Sequence, residues 1–552
     1  MFIRLVLALA LLAVTSVAST QPAETFSQAM GREVRAVSAA RPKAEGQDLR
    51  EVYEHTGGTP LWVDAAGRAT PRVQAGLALL TAATADGLNP ADYDLPLLAT
   101  LAAEGDARRA AEPARAARLD VALTAGVLRY FRHLHLGRVD PGRLDLQIDL
   151  PVEPHRFSDV LWSALEGNRL QAAVTDMAPA LAQYSALRTA LAHYRAISPE
   201  EYGTLALPAT IKPGAAFGEV AMLRRRLVAL GDLPVATSSA AATPSPSVTS
   251  GLTEGGRYDA ITRAGVVRFQ ARHGLEPDGV LGPATRAALR VPLAWRVRQI
   301  EMALERLRWL PDLGSQRLIV VNIPMFRLYA WDSVPSAAPP VLDMGVIVGR
   351  ALDTRTPVFA ASMKTVVFRP YWNVPTSILK NELLPILRRD AGYLGRQDME
   401  MVRGQADTAA VLGPTPAHLA ELGTGDVRLR QKPGPHNALG RVKFLFPNEN
   451  DVYLHDTPAH TLFRRSRRDF SHGCIRVEDP TALATWVLGT DPSWTRERVV
   501  AALEGKPNVR TELPAPIQVV IFYTTAAVMP EDGTVHFAAD LYGHDARLDK
   551  VF

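Results

Sequence analysis

Only one of the 552 residues, Cys474, is a cysteine. A single thiol cannot close an internal disulfide. Without paired cysteines or a His-Glu-x-x-His run the sequence carries no zinc-type donor set, so neither a metal nor a cofactor is expected. Aromatic residues are scarce at 7%, and the 61 basic and 57 acidic side chains are interspersed, leaving a net charge of only +4. A nucleic-acid partner would need a concentrated basic face with aromatics to stack on, and none is evident. Beyond residue 18 no apolar run reaches the roughly 20 residues that cross a bilayer. Ser377-Ile378-Leu379-Lys380 has the Ser-x-x-Lys form of a serine acyl-enzyme motif. Its companions Ser-x-Asn and Lys-Thr-Gly are absent, Lys364-Thr365-Val366 matching only in part, and coincidence at a helix start accounts for it.

Residues 1–18 have the layout of an export signal: Arg4, the apolar run Leu5 to Val14, then Ser16-Val17-Ala18. Membrane contact is expected only through this segment, and no cysteine follows it to take a lipid. Residues 19–48, rich in Ala, Ser, Gln and charge, suggest a linker. From 49 to 210 the texture is helical, with Leu77, Leu79, Leu80 and Ala83 near one face of a segment opened by Thr70-Pro71. Residues 215–291 form a small three-helix module. Val220, Leu223, Leu227 and Leu230 step at helical spacing, and an Ala, Ser, Thr and Pro-rich insert at 237–256 is expected to be disordered. Residues 292–314 carry a helix with one apolar stripe, Leu293, Val297, Ile300, Leu304 and Leu307, expected to pack back on the preceding helices. From 315 to 525 the chain is rich in β-branched and aromatic runs, expected as strands at 318–323, 326–331, 342–348, 365–368, 441–446, 451–454 and 518–523. Residues 376–430 interrupt them with helix and loop.

The chemistry concentrates at Ser471-His472-Gly473-Cys474-Ile475-Arg476-Val477. Gly473 lets a carbonyl approach beside the sulfur, and the amides of Gly473 and Cys474, with His472 a further donor, could converge on an oxyanion. A thiol of pKa about 8.5 needs a base or positive surroundings to act as a nucleophile. His455, in Val452-Tyr453-Leu454-His455-Asp456-Thr457, supplies the first, and Arg464, Arg465, Arg467, Arg468 and Arg476 supply the second. Glu478-Asp479-Pro480 reads as a helix cap followed by a first-turn proline rather than as a catalytic acid.

A histidine followed after fifteen residues by Ser-His-Gly-Cys-hydrophobic-Arg resembles the signature of the YkuD-type L,D-transpeptidases. Arg369-Pro370-Tyr371-Trp372-Asn373-Val374-Pro375, Gln431 to Pro435 and Lys443 to Asn448 resemble the long Gram-negative YcbB-like branch. Pro60-Leu61-Trp62 and the run from Tyr130 to Pro141 resemble its helical scaffold. Phe269-Gln270, His273-Gly274-Leu275 and Asp278 to Pro283 resemble a peptidoglycan-binding module. The resemblance implies a multidomain fold: an α-helical scaffold, a three-helix peptidoglycan-binding-like module, and a β-rich YkuD-type catalytic domain with an inserted helical capping subdomain at 376–430. A closing segment follows at 526–552.

It also implies a periplasmic enzyme that joins peptidoglycan tetrapeptide stems, as donor and acceptor, through a Cys474 thioester. Other cell-wall synthesis proteins are possible partners, and carbapenems are implied inhibitors. Cys474, His455, Gly473, His472 and Ser471 would form the catalytic set, with Arg476, Tyr453, Trp372 and Asn373 holding substrate. Either the backbone carbonyl or the side chain of Asp456 would orient His455. A cysteine hydrolase on the same fold and a non-catalytic wall-binding protein remain the alternatives.

Overall fold

A computed structural model describes residues 24–552 apart from 145, 149–155, 208, 235–255, 312, 314–315, 335–337, 352–353, 391, 405 and 423–425. The expected export signal lies outside the described residues, and so does all but the last residue of the expected insert at 237–256. The chain divides into two compact units. One takes residues up to Thr81, Pro90–Tyr130 and Arg156–Ala173; the other takes Ala82–Asn89, Phe131–His155 and Val174–Phe552.

The first unit is helical. The stretch expected as a linker instead carries the helix Phe26–Ala39, packed on Lys43–His55. Its start is fixed by a capping box, in which the Thr25 hydroxyl accepts from the Gln28 amide and the Gln28 side chain accepts from the Thr25 amide. The unit's polar centre is Asp120, fully buried within the helix Pro113–Leu136. Its carboxylate accepts from the amides of Leu61, Trp62 and Val63 and from the Tyr53 hydroxyl at 2.7 Å. That is why Pro60-Leu61-Trp62 sits where it does: the turn's amides need a buried acceptor once removed from water.

In the second unit the three-helix module is built from Val220–Ala229, Ala260–Arg272 and Pro283–Arg290. Gln270 braces its turn, donating to Asp278 Oδ1 at 2.9 Å and accepting from the Gly279 amide at 2.7 Å. The buried Arg272–Asp232 pair, with Arg272 donating to the Val535 carbonyl at 3.0 Å, ties the module to the C-terminal segment. The helix Leu293–Arg308 packs on Ala182–Ala196. Its last two turns, Met302 to Arg308, are buried all round rather than along one apolar stripe, because Arg308 pairs with Glu305 at 2.8 Å and Arg306 with Asp545 at 2.6 Å. Charges on its polar face are neutralised internally, which lets that face be buried as well.

The strands are β1 (Leu318–Asn322), β2 (Arg327–Trp331), β3 (Leu342–Gly349), β4 (Phe359–Phe368), β5 (Trp372–Asn373), β6 (Met399–Arg403), β7 (Ala410–Leu412), β8 (Val427–Gln431), β9 (Val442–Leu445), β10 (Leu454–His455), β11 (Asp469–Ser471), β12 (Ile475–Val477), β13 (Val509–Phe522), β14 (Ala526–Val528) and β15 (Val535–Phe537). Nine of them form a sheet in the order β11-β3-β12-β10-β9-β4-β13-β1-β2, and β2 pairs back onto β3 to close it. Ile319, Val321, Val346, Val366, Phe444, Leu454, Ile475, Val519 and Ile521 fill its core. Each such side chain contributes about 1.5–3 kcal/mol when withdrawn from water.

The interruption at 376–430, expected as helix and loop, also carries sheet: β6, β7 and β8 join β5 in the order β5-β8-β6-β7. A separate small core of Leu379, Leu383, Leu387, Met401 and Leu429 lies with them.

Candidate active site

β11 and β12 both pair with β3, the first parallel and the second antiparallel, and the loop His472-Gly473-Cys474 joins them. Ser471 braces this loop. Its hydroxyl donates to the Cys474 carbonyl at 2.6 Å and accepts from the Gly473 amide at 3.2 Å. Gly473 sits at φ 116°, in the half of conformational space that residues with a Cβ rarely enter. The Gly473 amide, expected to face an oxyanion, is therefore already committed to Ser471. Among the described residues the amides of His472 and Cys474 make no hydrogen bond, so the donor left free beside the sulfur is the Cys474 amide itself.

His455 is buried on β10, between β9 and β12, at 4% exposure. The register sets Lys443 beside it on one strand and Arg476 on the other. Directly paired residues share a face of the sheet, so the imidazole stands between two cations. Burial first, then Arg476 and more weakly Lys443, push His455 down to about 3, against the partial support of its own hydrogen bond to Asp456. The ring is neutral at physiological pH. Nδ1 lies 2.5 Å from the Asp456 carbonyl. A carbonyl only accepts, so Nδ1 carries the proton and Nε2 the lone pair.

Of the two ways Asp456 could orient the imidazole, the backbone makes the contact. The carboxylate turns elsewhere, accepting from the Arg441 amide at 2.8 Å and the Thr457 amide at 2.7 Å. Gly440, at φ 61°, permits this approach: a Cβ there would fall 2.4 Å from Asp456 Cγ.

The Cys474 thiol donates to the Asp451 carbonyl at 3.7 Å. Burial pushes the thiol up, while hydrogen bonding from Tyr453 and the charge of Arg476 pull it down. Burial and the sulfur push Tyr453 up in turn, so its hydroxyl remains a donor. Both groups are thus uncharged at rest, a thiol and a neutral imidazole rather than a thiolate and an imidazolium.

The 376–430 subdomain reaches the loop through Glu382, whose carboxylate lies 2.7 Å from His472 Nε2. Glu382 sits on a π-helical turn, Leu379–Leu383, a distortion that often marks functional sites. Trp372 packs against the small core of this subdomain, and Asn373 accepts from Arg428. Both belong to β5, and neither is brought to Cys474 by a described contact. Asp479 caps the helix Pro480–Leu488, accepting from the Ala482 amide at 2.8 Å. Lys443, Asp451 and Glu382 were not among the sequence-derived candidates. Only Lys443 carried a signal, lying in a stretch already noted for its resemblance.

Known domain families match three parts of the chain: a scaffold domain at residues 47–191, a putative peptidoglycan binding domain at 218–289, and the YkuD L,D-transpeptidase catalytic domain at 316–512. The chain therefore carries an L,D-transpeptidase catalytic domain, with a scaffold and a peptidoglycan-binding domain before it, and both His455 and Cys474 fall within the catalytic match. A Haemophilus influenzae protein described as a putative L,D-transpeptidase is 31% identical over 253 residues. That is 46% of this chain and 49% of the relative, so the chain spans about half the length of the curated relative it matches. A crystal structure of L,D-transpeptidase residues 123–326 from Xylanimonas cellulosilytica aligns with 58% of this chain and all of its own at 16% identity, with a TM-score of 0.17, too low to compare positions. Among the described residues no helix is long and apolar enough to cross a membrane.

Proposed function

We infer that the protein is an exported, periplasmic L,D-transpeptidase that forms 3→3 cross-links between diaminopimelate residues of peptidoglycan stems. The observation that carries the reading is the committed His455 tautomer: with Nδ1–H held by Asp456, Nε2 is the only basic atom of a neutral ring on β10, which pairs with β12, the strand that begins one residue after Cys474. In the first step His455 takes the Cys474 proton and the sulfur attacks the diaminopimelate carbonyl of a tetrapeptide stem. The Cys474 amide and the Tyr453 hydroxyl bear on the charge that develops. The C–N bond to D-alanine breaks, the imidazolium returns its proton to the leaving amine, and a thioester remains. In the second step the side-chain amine of another diaminopimelate attacks the thioester, His455 accepts its proton, and the thiol is restored. Burial, with Arg476 and more weakly Lys443, keeps His455 neutral between steps, and the two cations help orient the donor. Trp372 and Asn373 contribute through the capping subdomain, which shields the thioester from water.

Incubation of the full chain with disaccharide-tetrapeptide, beside Cys474→Ala, tests this. A tetrapeptide-plus-tripeptide dimer linked 3→3, absent from the variant, is the expected result. Tripeptide alone would make the protein a hydrolase, and no product from either would remove the enzymatic reading. Carbapenem should add its own mass to Cys474 and to no other residue.

A further inference from the structure

We propose that Thr356 is a positioning residue for acyl transfer, acting by fixing the orientation of the Gly473–Cys474 peptide; the assignment rests on the acyl-transfer reading above. Thr356 is 1% exposed and lies far from the nucleophile loop in sequence, yet its hydroxyl donates to the Gly473 carbonyl at 2.8 Å. The direction of that bond is fixed, because the same hydroxyl accepts from the Gly349 amide at 2.9 Å, leaving the Gly473 carbonyl to take its proton. A trans peptide is planar, with its C=O and N–H antiparallel. Holding the Gly473 oxygen toward Thr356 therefore turns the Cys474 N–H the opposite way. This amide, like that of His472, has no partner of its own among the described residues. At Gly473, with φ 116°, a would-be Cβ meets only the Arg355 carbonyl within 4 Å among the described residues, so no side-chain packing fixes the peptide plane. The peptide plane thus needs an external hold.

Thr356 is held in turn from behind. The Tyr542 hydroxyl, in the C-terminal segment, accepts from the Thr356 amide at 3.3 Å and donates to the Gly349 carbonyl at 2.6 Å. A Cβ on Gly349 would meet the Thr354 carbonyl at 2.0 Å, so strand β3 and the 354–356 segment approach as closely as backbones can. Ser471 closes the loop from its own side through the Cys474 carbonyl and the Gly473 amide. The result is an oxyanion donor set by two hydroxyls, with the C-terminal segment as its buttress.

The experiment compares two reactions of Cys474 in the full chain. Acylation, by disaccharide-tetrapeptide and separately by p-nitrophenyl acetate, builds an oxyanion; alkylation by iodoacetamide does not. Thr356→Val keeps the shape and removes the hydroxyl. It should slow acylation by both donors about 10- to 1,000-fold while alkylation stays within about twofold of wild type. Thr356→Ser should recover most of the acylation rate. Unchanged acylation in Thr356→Val, an equal fall in both reactions, or failure of Thr356→Ser to recover would overturn the proposal. A wild-type protein inert to the tetrapeptide, with acetyl transfer still slowed in Thr356→Val, would sink the substrate reading while sustaining the positioning role.

Discussion

The two sides of Cys474 are built differently. Behind it, Ser471, Thr356 and Tyr542 are buried and each hydroxyl has both a donor and an acceptor partner. In front, among the described residues, the capping subdomain reaches the loop through one pair, Glu382 with His472, both substantially exposed. Buried, fully satisfied networks hold one geometry. Exposed ion pairs are worth about 0–1 kcal/mol and yield to salt. On the acyl-transfer reading, the rear would fix the position of the reacting groups and the front would open to admit a stem.

The largest expected effect comes from breaking the centre that both sides serve. His455→Ala removes the base and should lower the rate of Cys474 acylation by the tetrapeptide by about 100- to 10,000-fold, measured by intact mass against time. A rate within threefold of wild type would show that another group takes the proton.

The electrostatic state of that centre can be read from pH. Because burial raises the thiol and His455 is neutral, iodoacetamide alkylation should keep climbing past about pH 8.5, the value of a free thiol. A plateau between pH 5 and 7 would instead mark a thiolate–imidazolium pair. The same burial links to stability. The unfolded chain protonates His455 near 6.5 and the folded chain only near 3, so folded stability is lost as pH falls through that window. Urea midpoints for His455→Asn should therefore fall less steeply than wild type between pH 6.5 and 4. His544, also pushed down to about 3 by burial, leaves part of the slope in place. Identical slopes would mean that His455 is not held neutral by the fold.

The smallest effect is expected at the front. Glu382→Gln should raise the tetrapeptide KM by less than about fivefold and leave kcat unchanged. Raising the salt should bring wild type toward the variant. A large fall in kcat would move Glu382 from the cap's contact into the rear's class of positioning groups.

The candidate centre was legible in the sequence because the proposed chemistry needs rare types at fixed spacing: one cysteine, a histidine on a β-rich run, and a glycine between them. The strands around it were legible only in part. β11 and β12 have three residues each, too short to show a pattern, and they acquire their identity from β3. The capping sheet was hidden in part for the same reason, since β7 has three residues; β8, Val427 to Gln431, did carry the apolar–polar alternation of a strand. Thr356, Tyr542 and Glu382 are ordinary residue types whose roles are contacts across 90 residues or more. The helix at 26–39 did carry a signal, Thr25 with Gln28 three residues on, which composition alone conceals. Gly473 shows the other limit. A glycine beside a nucleophile suggests an oxyanion amide, yet the neighbouring Ser471 claims that amide and passes the task to the next residue.

The most direct test of the central claim is intact-protein mass spectrometry of the full chain within seconds of mixing with disaccharide-tetrapeptide, followed by peptide mapping. The expected result is an adduct on Cys474 equal to the donor less D-alanine, decaying as an amine acceptor is added. An adduct on any other residue, or cross-linked product formed equally by Cys474→Ala, would contradict it.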